Sequence, residues 1–169
     1  TDLNLYTWPN YTAANAIIVK FTLGAIPPGS TVSSATLKLN LIGADTHPEP
    51  TYTVRTHRII NKSPNMLAVT GDKYDGVTSW TSNTACWDGV RYWPMAQADI
   101  SAASDTQAID KTLGVKNFDV ASIAQAWVGT PSSNYGLLLN SDPTKLMDRW
   151  RTFASRDNLT VSKRPVLTI

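Results

Sequence analysis

One stretch decides the fold class: Ile17-Ile-Val-Lys-Phe-Thr-Leu23, then GAIPPGSTVSSA, then Thr36-Leu-Lys-Leu-Asn-Leu41. Apolar side chains occupy every second position of both flanking segments, namely Ile17, Val19, Phe21 and Leu23 in the first and Leu37, Leu39 and Leu41 in the second. A period of two is typical of a half-buried strand and not of a helix. The stretch therefore predicts two strands joined by a Pro- and Gly-rich connection in a hairpin-like unit.

Similar patterns recur along the chain, separated by turn residues. They predict further strands at 2–8, 51–60, 116–120, 135–140, 149–156 and 164–169, and one helix of about two turns at 122–128. Residues 61–100 are irregular and rich in aromatics, which indicates long loops with one or two short strands. We therefore expect a single all-β domain over 1–169, an antiparallel β-sandwich of jelly-roll type with one short helix.

Composition excludes two classes of partner. The 169 residues are 42% hydrophobic and 17% charged, which is enough apolar material for a core. The net charge is +2 with no long basic run, so a nucleic-acid partner is not indicated. No run approaches the ~18 apolar residues that a membrane-spanning helix requires, so membrane insertion is not expected either.

Several blocks in a fixed order carry a resemblance to a known family. They are the run from Ala25 to Leu39, Phe118-Asp-Val, Ala126-Trp127, Asn134-Tyr-Gly-Leu-Leu-Leu139, Ser155-Arg-Asp157 and Arg164-Pro-Val-Leu. Together they resemble the DNRLRE-type domains over roughly residues 17–169. The resemblance implies a jelly-roll β-sandwich of the kind found on secreted polysaccharide-degrading enzymes and cell-surface proteins, some of which bind carbohydrate.

The chain departs from that family in identifiable places. Phe21-Thr-Leu stands where Phe-Asp-Leu is usual, and Asp157 stands where glutamate is usual. Residues between Asn61 and Ser101 match the family poorly. Any binding loops in that stretch therefore have to be interpreted from their own residues.

Aromatic and polar residues of this stretch are the predicted ligand-binding set: Trp80, Trp87, Asp88, Arg91, Tyr92 and Trp93. The C–H face of a sugar ring packs on Trp or Tyr, while its hydroxyls bond to Asp, Asn and Arg. The alternative for each aromatic is packing in the core or under a loop. For Trp127 we expect a position in the core, because it shares the apolar face of the predicted helix with Ile123.

The turn Gly71-Asp-Lys-Tyr-Asp-Gly76 suggests a metal site at Asp72 and Asp75, since Ca²⁺ takes carboxylate and carbonyl oxygens in loops. The spacing does not match an EF-hand, and Asp-Gly is also an ordinary turn signal. Structural calcium is thus a hypothesis, and no cofactor is required.

No enzyme motif is present. The sequence lacks a Gly-x-Ser-x-Gly elbow, a phosphate-binding loop, a dinucleotide fingerprint and a His-Glu-x-x-His helix. A glycosidase would need two positioned carboxylates, and nothing in the pattern requires such a pair. We therefore expect a protein that is not an enzyme.

Two functions remain open. The first is a non-catalytic module that binds polysaccharide or surface glycan. The second is a structural or decorating subunit of a larger assembly, such as a virion capsid accessory protein or surface fibre, in which the partners are other subunits. The first is the main prediction, because the family resemblance and the aromatic loops both point to it. The second is the alternative, and its motivation is that the domain is expected to stand alone, without a linker or attached enzyme. Either function places the protein outside the cell or on a cell or particle surface.

Overall fold

The structure, a computed structural model, describes residues 2–7, 14–81, 97–141 and 149–169. The strands are β1 (Asp2–Thr7), β2 (Ala14–Asn15), β3 (Ile17–Val19), β4 (Thr36–Ala44), β5 (Tyr52–Ile59), β6 (Ile100–Ile109), β7 (Gly114–Asp119), β8 (Leu137–Ser141), β9 (Arg149–Ala154) and β10 (Val166–Thr168), and the helix is α1 (Ala121–Gly129). Every strand pairing is antiparallel. The prediction of an all-β sandwich with one short helix is confirmed.

Two sheets form the layers of the sandwich. In the six-stranded sheet, β4 pairs along one edge with β10 and with β9, and along its opposite edge with β7. Strand β9 pairs in turn with β1, and β1 with β2. The four-stranded sheet has the order β3-β8-β5-β6. The opening stretch is divided between them, because β3 lies in the four-stranded sheet and β4 in the six-stranded one. The predicted hairpin-like unit is therefore wrong: the connection 24–35 is long enough to cross the ~10 Å that separate packed sheets.

The side edges of the sandwich are joined by chain segments that change sheets. On one side, β2 pairs with β1 in the six-stranded sheet, and β3 follows after Ala16 in the four-stranded sheet. On the other side, β6 and β7 belong to different sheets, and the Asp105 carboxylate accepts a 2.9 Å hydrogen bond from the backbone N–H of Asp119. These links reduce the exposed strand edge that would otherwise invite pairing with another chain.

The core lies between the sheets and follows the predicted alternation. Leu37, Leu39 and Leu41 are fully buried, whereas Lys38 between them is exposed. Trp127 also packs in this core, which confirms the sequence prediction for the helix. β3 is shorter than predicted, but Phe21 still packs against the same core after the strand has ended.

The two ends of the sandwich are closed differently. At the start of β4, α1 covers the core and holds the connection 24–35, because Gln125 accepts from the N–H of Val32 (2.8 Å) and donates to the carbonyl of Ser30 (3.1 Å). We call this the helix end. The opposite end, where β4 finishes and β5 and β9 begin, is closed by charged side chains, and we call it the charged end. A nine-residue strand separates the two ends by roughly 27 Å.

Candidate functional site

The outward face of the six-stranded sheet carries an aromatic pair at its centre. Tyr6 on β1 and Trp150 on β9 are direct cross-strand partners, so their Cβ atoms lie about 5 Å apart on the same face. Both are half-buried. Trp150 was not among the predicted site residues. The alternation of β9 contains the signal, because the inward position of Phe153 requires Trp150 to face outward.

The indole of Trp150 rests on the backbone of the neighbouring strand. A Cβ placed on Gly43 would lie 3.2 Å from Cζ3 and 3.6 Å from Cη2 of Trp150, so the ring occupies the space that a side chain would take. The register between β4 and β9 shifts between Leu41 and Gly43, as at a β-bulge. The glycine therefore allows the indole to lie close to the sheet, in a fixed position.

Polar side chains occupy further outward positions on the same face. Thr152 donates a 2.6 Å hydrogen bond to the side-chain oxygen of Asn4, and Asn15 donates to the Asn4 carbonyl at 2.8 Å. Asn40 and Lys38 occupy outward positions farther along the adjacent strand β4, which pairs with β9 from Leu41 to Ala44. We call the set Asn4, Tyr6, Lys38, Asn40, Trp150 and Thr152 the sheet-face patch. It combines a fixed aromatic ring with hydrogen-bonding groups.

The inward face of β9 carries two fully buried arginines. Arg149 and Arg151 are 0% exposed and meet at one carboxylate oxygen of Asp45, at 3.2 Å from Nε of Arg149 and 2.7 Å from Nη1 of Arg151. Each of the three nitrogens of both guanidinium groups donates at least one hydrogen bond, the other acceptors being Glu49, Thr51, Pro50, Ile109, Asp110 and Trp150. The Tyr52 ring lies 5.5 Å and 5.7 Å from the two guanidinium carbons. The buried charges are thus paired, and every guanidinium nitrogen is hydrogen-bonded.

The pKa of Asp45 reflects this environment. Burial opposes ionisation, but the hydrogen bonds from the N–H of Trp150 and from Arg149, with the charges of both arginines, outweigh it and lower the pKa to about 2. Asp45 therefore remains ionised at neutral pH and is unsuited to act as a general acid. For Arg151, burial lowers the pKa while Asp45 opposes that change.

This charged network also positions the patch on the opposite face. The backbone N–H of Trp150 donates to the Asp45 carboxylate at 3.0 Å, and the Trp150 carbonyl accepts from the N–H of Asp45 at 3.2 Å. Asp45 thus holds the backbone of Trp150 through two hydrogen bonds. The inner network and the outer aromatic ring belong to one structural unit.

Trp80 lies elsewhere, in a second hydrophobic cluster that includes Leu138 of the four-stranded sheet. It is 2% exposed, packs with Ile59 and Leu138, and donates from Nε1 to the carbonyl of Thr70 at 3.1 Å. The Tyr74 ring meets it edge to face, with centroids 5.9 Å apart. Its indole therefore packs against protein in this structure, the alternative that the sequence left open for each aromatic.

The other five predicted ligand-binding residues, Trp87, Asp88, Arg91, Tyr92 and Trp93, lie outside the described residues. Their role stays a prediction. The described residues that flank this segment are tied together, because Thr81 donates from its backbone and its hydroxyl to the buried carboxylate of Asp99, both at 2.5 Å.

Asp72 and Asp75, the residues of the calcium hypothesis, contact neighbouring residues of their own turn. Asp75 accepts from the backbone N–H groups of Thr78 (2.5 Å) and Val77 (2.9 Å), which lower its pKa, and Asp72 lies 3.4 Å from Nζ of Lys73. Among the described residues, no three His, Cys, Asp or Glu side chains converge as metal ligands would. Calcium binding stays a hypothesis, which a comparison of melting temperatures in CaCl₂ and in EDTA would test.

Comparison with models of known protein families gives no match, and comparison with curated proteins gives none either. Neither result bears on the resemblance to DNRLRE-type domains, which stays a prediction. Within the part of the chain that the structure describes, no helix is long and apolar enough to cross a membrane.

Proposed function

We propose that this protein is a non-catalytic module that binds polysaccharide or surface glycan, with its site on the sheet-face patch. The observation that carries the proposal is the Tyr6–Trp150 pair at the centre of an outward sheet face. Such a module acts outside the cell or on a cell or particle surface.

The chemistry of the patch suits a sugar chain. The indole of Trp150, held on Gly43, offers a surface on which the C–H bonds of a pyranose ring pack. Asn4, Thr152 and Asn40 present amide and hydroxyl groups that exchange hydrogen bonds with sugar hydroxyls. Strands β1, β9 and β4 lie side by side, about 4.8 Å apart, so the patch is wide enough to contact more than one sugar unit.

The acids on this face support a non-catalytic role. Among the described residues, the carboxylates at outward positions of β1 and β7 are Asp2 and Asp119. Strands β9 and β4 lie between β1 and β7, so three strand spacings, about 14 Å, separate Asp2 from Asp119. The two carboxylates of a glycosidase lie about 5–9.5 Å apart, which is closer than these two residues.

Binding to a panel of neutral and acidic polysaccharides tests the proposal, by affinity electrophoresis and isothermal titration. We expect the wild-type protein to bind at least one member, Trp150→Ala to weaken that binding at least tenfold, and Trp150→Phe to weaken it less. Arg55→Ala, on the outward face of the other sheet, is the control and should bind as the wild type does. No binding across the panel, or undiminished binding by a folded Trp150→Ala protein, would contradict the proposal.

A second function, a subunit of a larger assembly, is favoured by one observation. Leu159 is 97% exposed although its loop is well hydrogen-bonded, with the N–H of Thr160 donating to the side chain of Asn158 and Nε of Arg164 donating to the Asn158 carbonyl. Val161 beside it is also exposed. A fixed loop that presents apolar side chains is typical of a contact surface.

Light scattering after size-exclusion chromatography tests this second function. If the loop is a contact between copies, the wild-type mass should rise with concentration and Leu159→Ser should abolish the rise. A monomer at all concentrations would argue against self-assembly through this loop.

A further inference from the structure

The loop between β9 and β10 contains the sequence Asn158-Leu-Thr160. Asparagine followed by any residue except proline and then by serine or threonine is the acceptor sequence for N-linked glycosylation, and we call it a sequon. Such a short motif also occurs by chance. Because a glycan is bulky and belongs on the surface, an acceptor asparagine must leave room for one in the folded chain.

The side chain of Asn158 is held with its nitrogen unengaged. Oδ1 accepts a hydrogen bond from the backbone N–H of Thr160 at 3.0 Å, and since a backbone N–H only donates, the nitrogen occupies the other position of the amide. Nδ2 has no hydrogen-bond partner among the described residues. The backbone of Asn158 is fixed, because its N–H donates to the carbonyl of Ser155 (3.2 Å) and its carbonyl accepts from Nε of Arg164 (3.0 Å).

The surroundings of this nitrogen are open to solvent. Asn158 is partly exposed and Thr160 is exposed, and the Thr160 hydroxyl has no hydrogen-bond partner in the described part of the chain. The apolar neighbours Leu159 and Val161 are 97% and 67% exposed. A hydrophilic glycan on Asn158 would shield these apolar side chains, which otherwise face water.

A second sequon, Asn61-Lys-Ser63, has the opposite geometry. Nδ2 of Asn61 donates to the carbonyl of Ala98 at 2.8 Å, so a glycan on this nitrogen would disturb a hydrogen bond between two segments of the fold. Pro64 follows directly and restricts the backbone of Ser63 to extended conformations. The structure therefore distinguishes two asparagines that the sequence motif treats alike.

We propose that Asn158 is an acceptor for N-linked glycosylation, with an oligosaccharide activated as a lipid diphosphate as the donor. Nδ2 forms a bond to the anomeric carbon of the first sugar, the bond from that carbon to the diphosphate oxygen breaks, and the amide nitrogen loses one proton as the lipid diphosphate leaves. The modification requires export, as the proposed function does, but it does not depend on polysaccharide binding. A glycan at this position would block self-assembly through Leu159, so the inference excludes that alternative.

The test secretes the full chain from cultured animal cells behind a cleavable signal peptide. Asn10→Gln removes a third sequon, which lies outside the described residues. Trypsin places the other two on separate peptides, 157–163 for Asn158 and 59–62 for Asn61. Peptide N-glycosidase F in H₂¹⁸O then converts each glycosylated asparagine to an ¹⁸O-labelled aspartate, which mass spectrometry detects.

We expect the label on peptide 157–163 in most molecules and on peptide 59–62 in few. Thr160→Val removes the hydroxyl of the sequon but keeps Asn158 and the backbone N–H that orients it, and should abolish the label. Thr160→Ser restores a hydroxyl and should restore the label. Ser63→Val is the matched control in the other sequon and should leave the label on peptide 157–163 unchanged. Thermal unfolding checks that each variant is folded.

The outcomes separate this inference from the proposed function. An unlabelled peptide 157–163 from secreted, folded protein overturns the proposal, and so does a label that persists in Thr160→Val. Equal labelling of the two peptides also overturns it, because the free nitrogen of Asn158 would then make no difference. Polysaccharide binding is measured on unglycosylated protein made in bacteria, so its success or failure is independent of this result.

Discussion

The two ends of the sandwich close the core with different side chains. At the charged end, Arg149, Arg151 and Asp45 are buried and satisfy one another and the surrounding carbonyls. At the helix end, apolar residues close the core. Of the three buried side-chain polar atoms without a partner in the described part of the chain, two lie there, on Trp127 and Asn134. The difference is that the charged end pairs its buried polar groups, whereas the helix end, within the described residues, leaves two of them without a partner.

Replacing Asp45 by Asn should have the largest effect. The change leaves Arg149 and Arg151 buried with one fewer negative charge, and breaking a buried ion pair costs about 3–5 kcal/mol. Urea unfolding followed by tryptophan fluorescence measures the loss. Asp157→Asn is the control, because the Asp157–Arg156 pair is exposed and spans 3.4 Å, so its loss should change stability by less than about 1 kcal/mol. Equal effects of the two changes would remove the distinction between the charged end and an ordinary surface pair.

Acid should weaken the charged end in a defined range. The pKa of Asp45 falls from 3.8 to about 2 on folding, so its contribution is complete above pH 4 and is lost as the pH falls through 2. We expect a loss of about 2 kcal/mol from this group, from urea titrations between pH 5 and 2. The pKa values of Asp75 and Asp110 are also lowered, but both groups remain in Asp45→Asn, so the difference between the two proteins isolates Asp45. Parallel pH profiles for the two proteins would contradict the assignment.

Adding a methyl group at Gly43 should displace the aromatic ring of the patch. In Gly43→Ala the new Cβ would lie 3.2 Å from the Trp150 ring, which then has to move away from the sheet. We expect a loss of stability of about 1 kcal/mol and several-fold weaker polysaccharide binding, measured by thermal unfolding and by affinity electrophoresis. Gly129→Ala, where the added Cβ would contact nothing within 4 Å, is the matched control. A Gly43→Ala protein that binds like the wild type would mean that the position of the indole is not important.

Trp127→Phe should have the smallest effect on stability. The variant loses some packing, but it also removes a buried N–H that has no partner in the described residues, and the two changes oppose each other to within about 1 kcal/mol. Trp80→Phe loses similar packing together with a hydrogen bond to Thr70 and should cost about 1 kcal/mol more. Identical unfolding free energies would indicate that the Trp127 N–H is in fact satisfied in solution.

Alternating strands were the part of the fold that could be predicted. Tyr52 and Val54 face the core and Arg55 faces outward, as their pattern indicates. β6 carries no such signal, since Ser, Ala, Asp, Thr and Gln fill most of its ten positions. This strand forms because its neighbour β5 supplies hydrogen-bond partners along most of its length, and a pairing of that kind is not encoded in the strand itself.

The candidate sites were predictable only in part. The alternation through Phe153 places Arg149 and Arg151 inside and Trp150 outside, but buried arginines are rare enough that the pattern alone does not suggest them. Their acceptors come from Asp45 and Glu49, about 100 positions away in sequence.

The sequence by itself determined the strand alternation, the single short helix and the all-β class, because these depend on side chains two to four positions apart. Only the tertiary structure decided that β3 and β4 lie in different sheets, that Trp80 is buried and Trp150 half-exposed, and that Trp127 retains an N–H without a partner among the described residues. The physical reason is that exposure and hydrogen-bond partnership depend on which distant segments come together, and local periodicity contains no information about that choice.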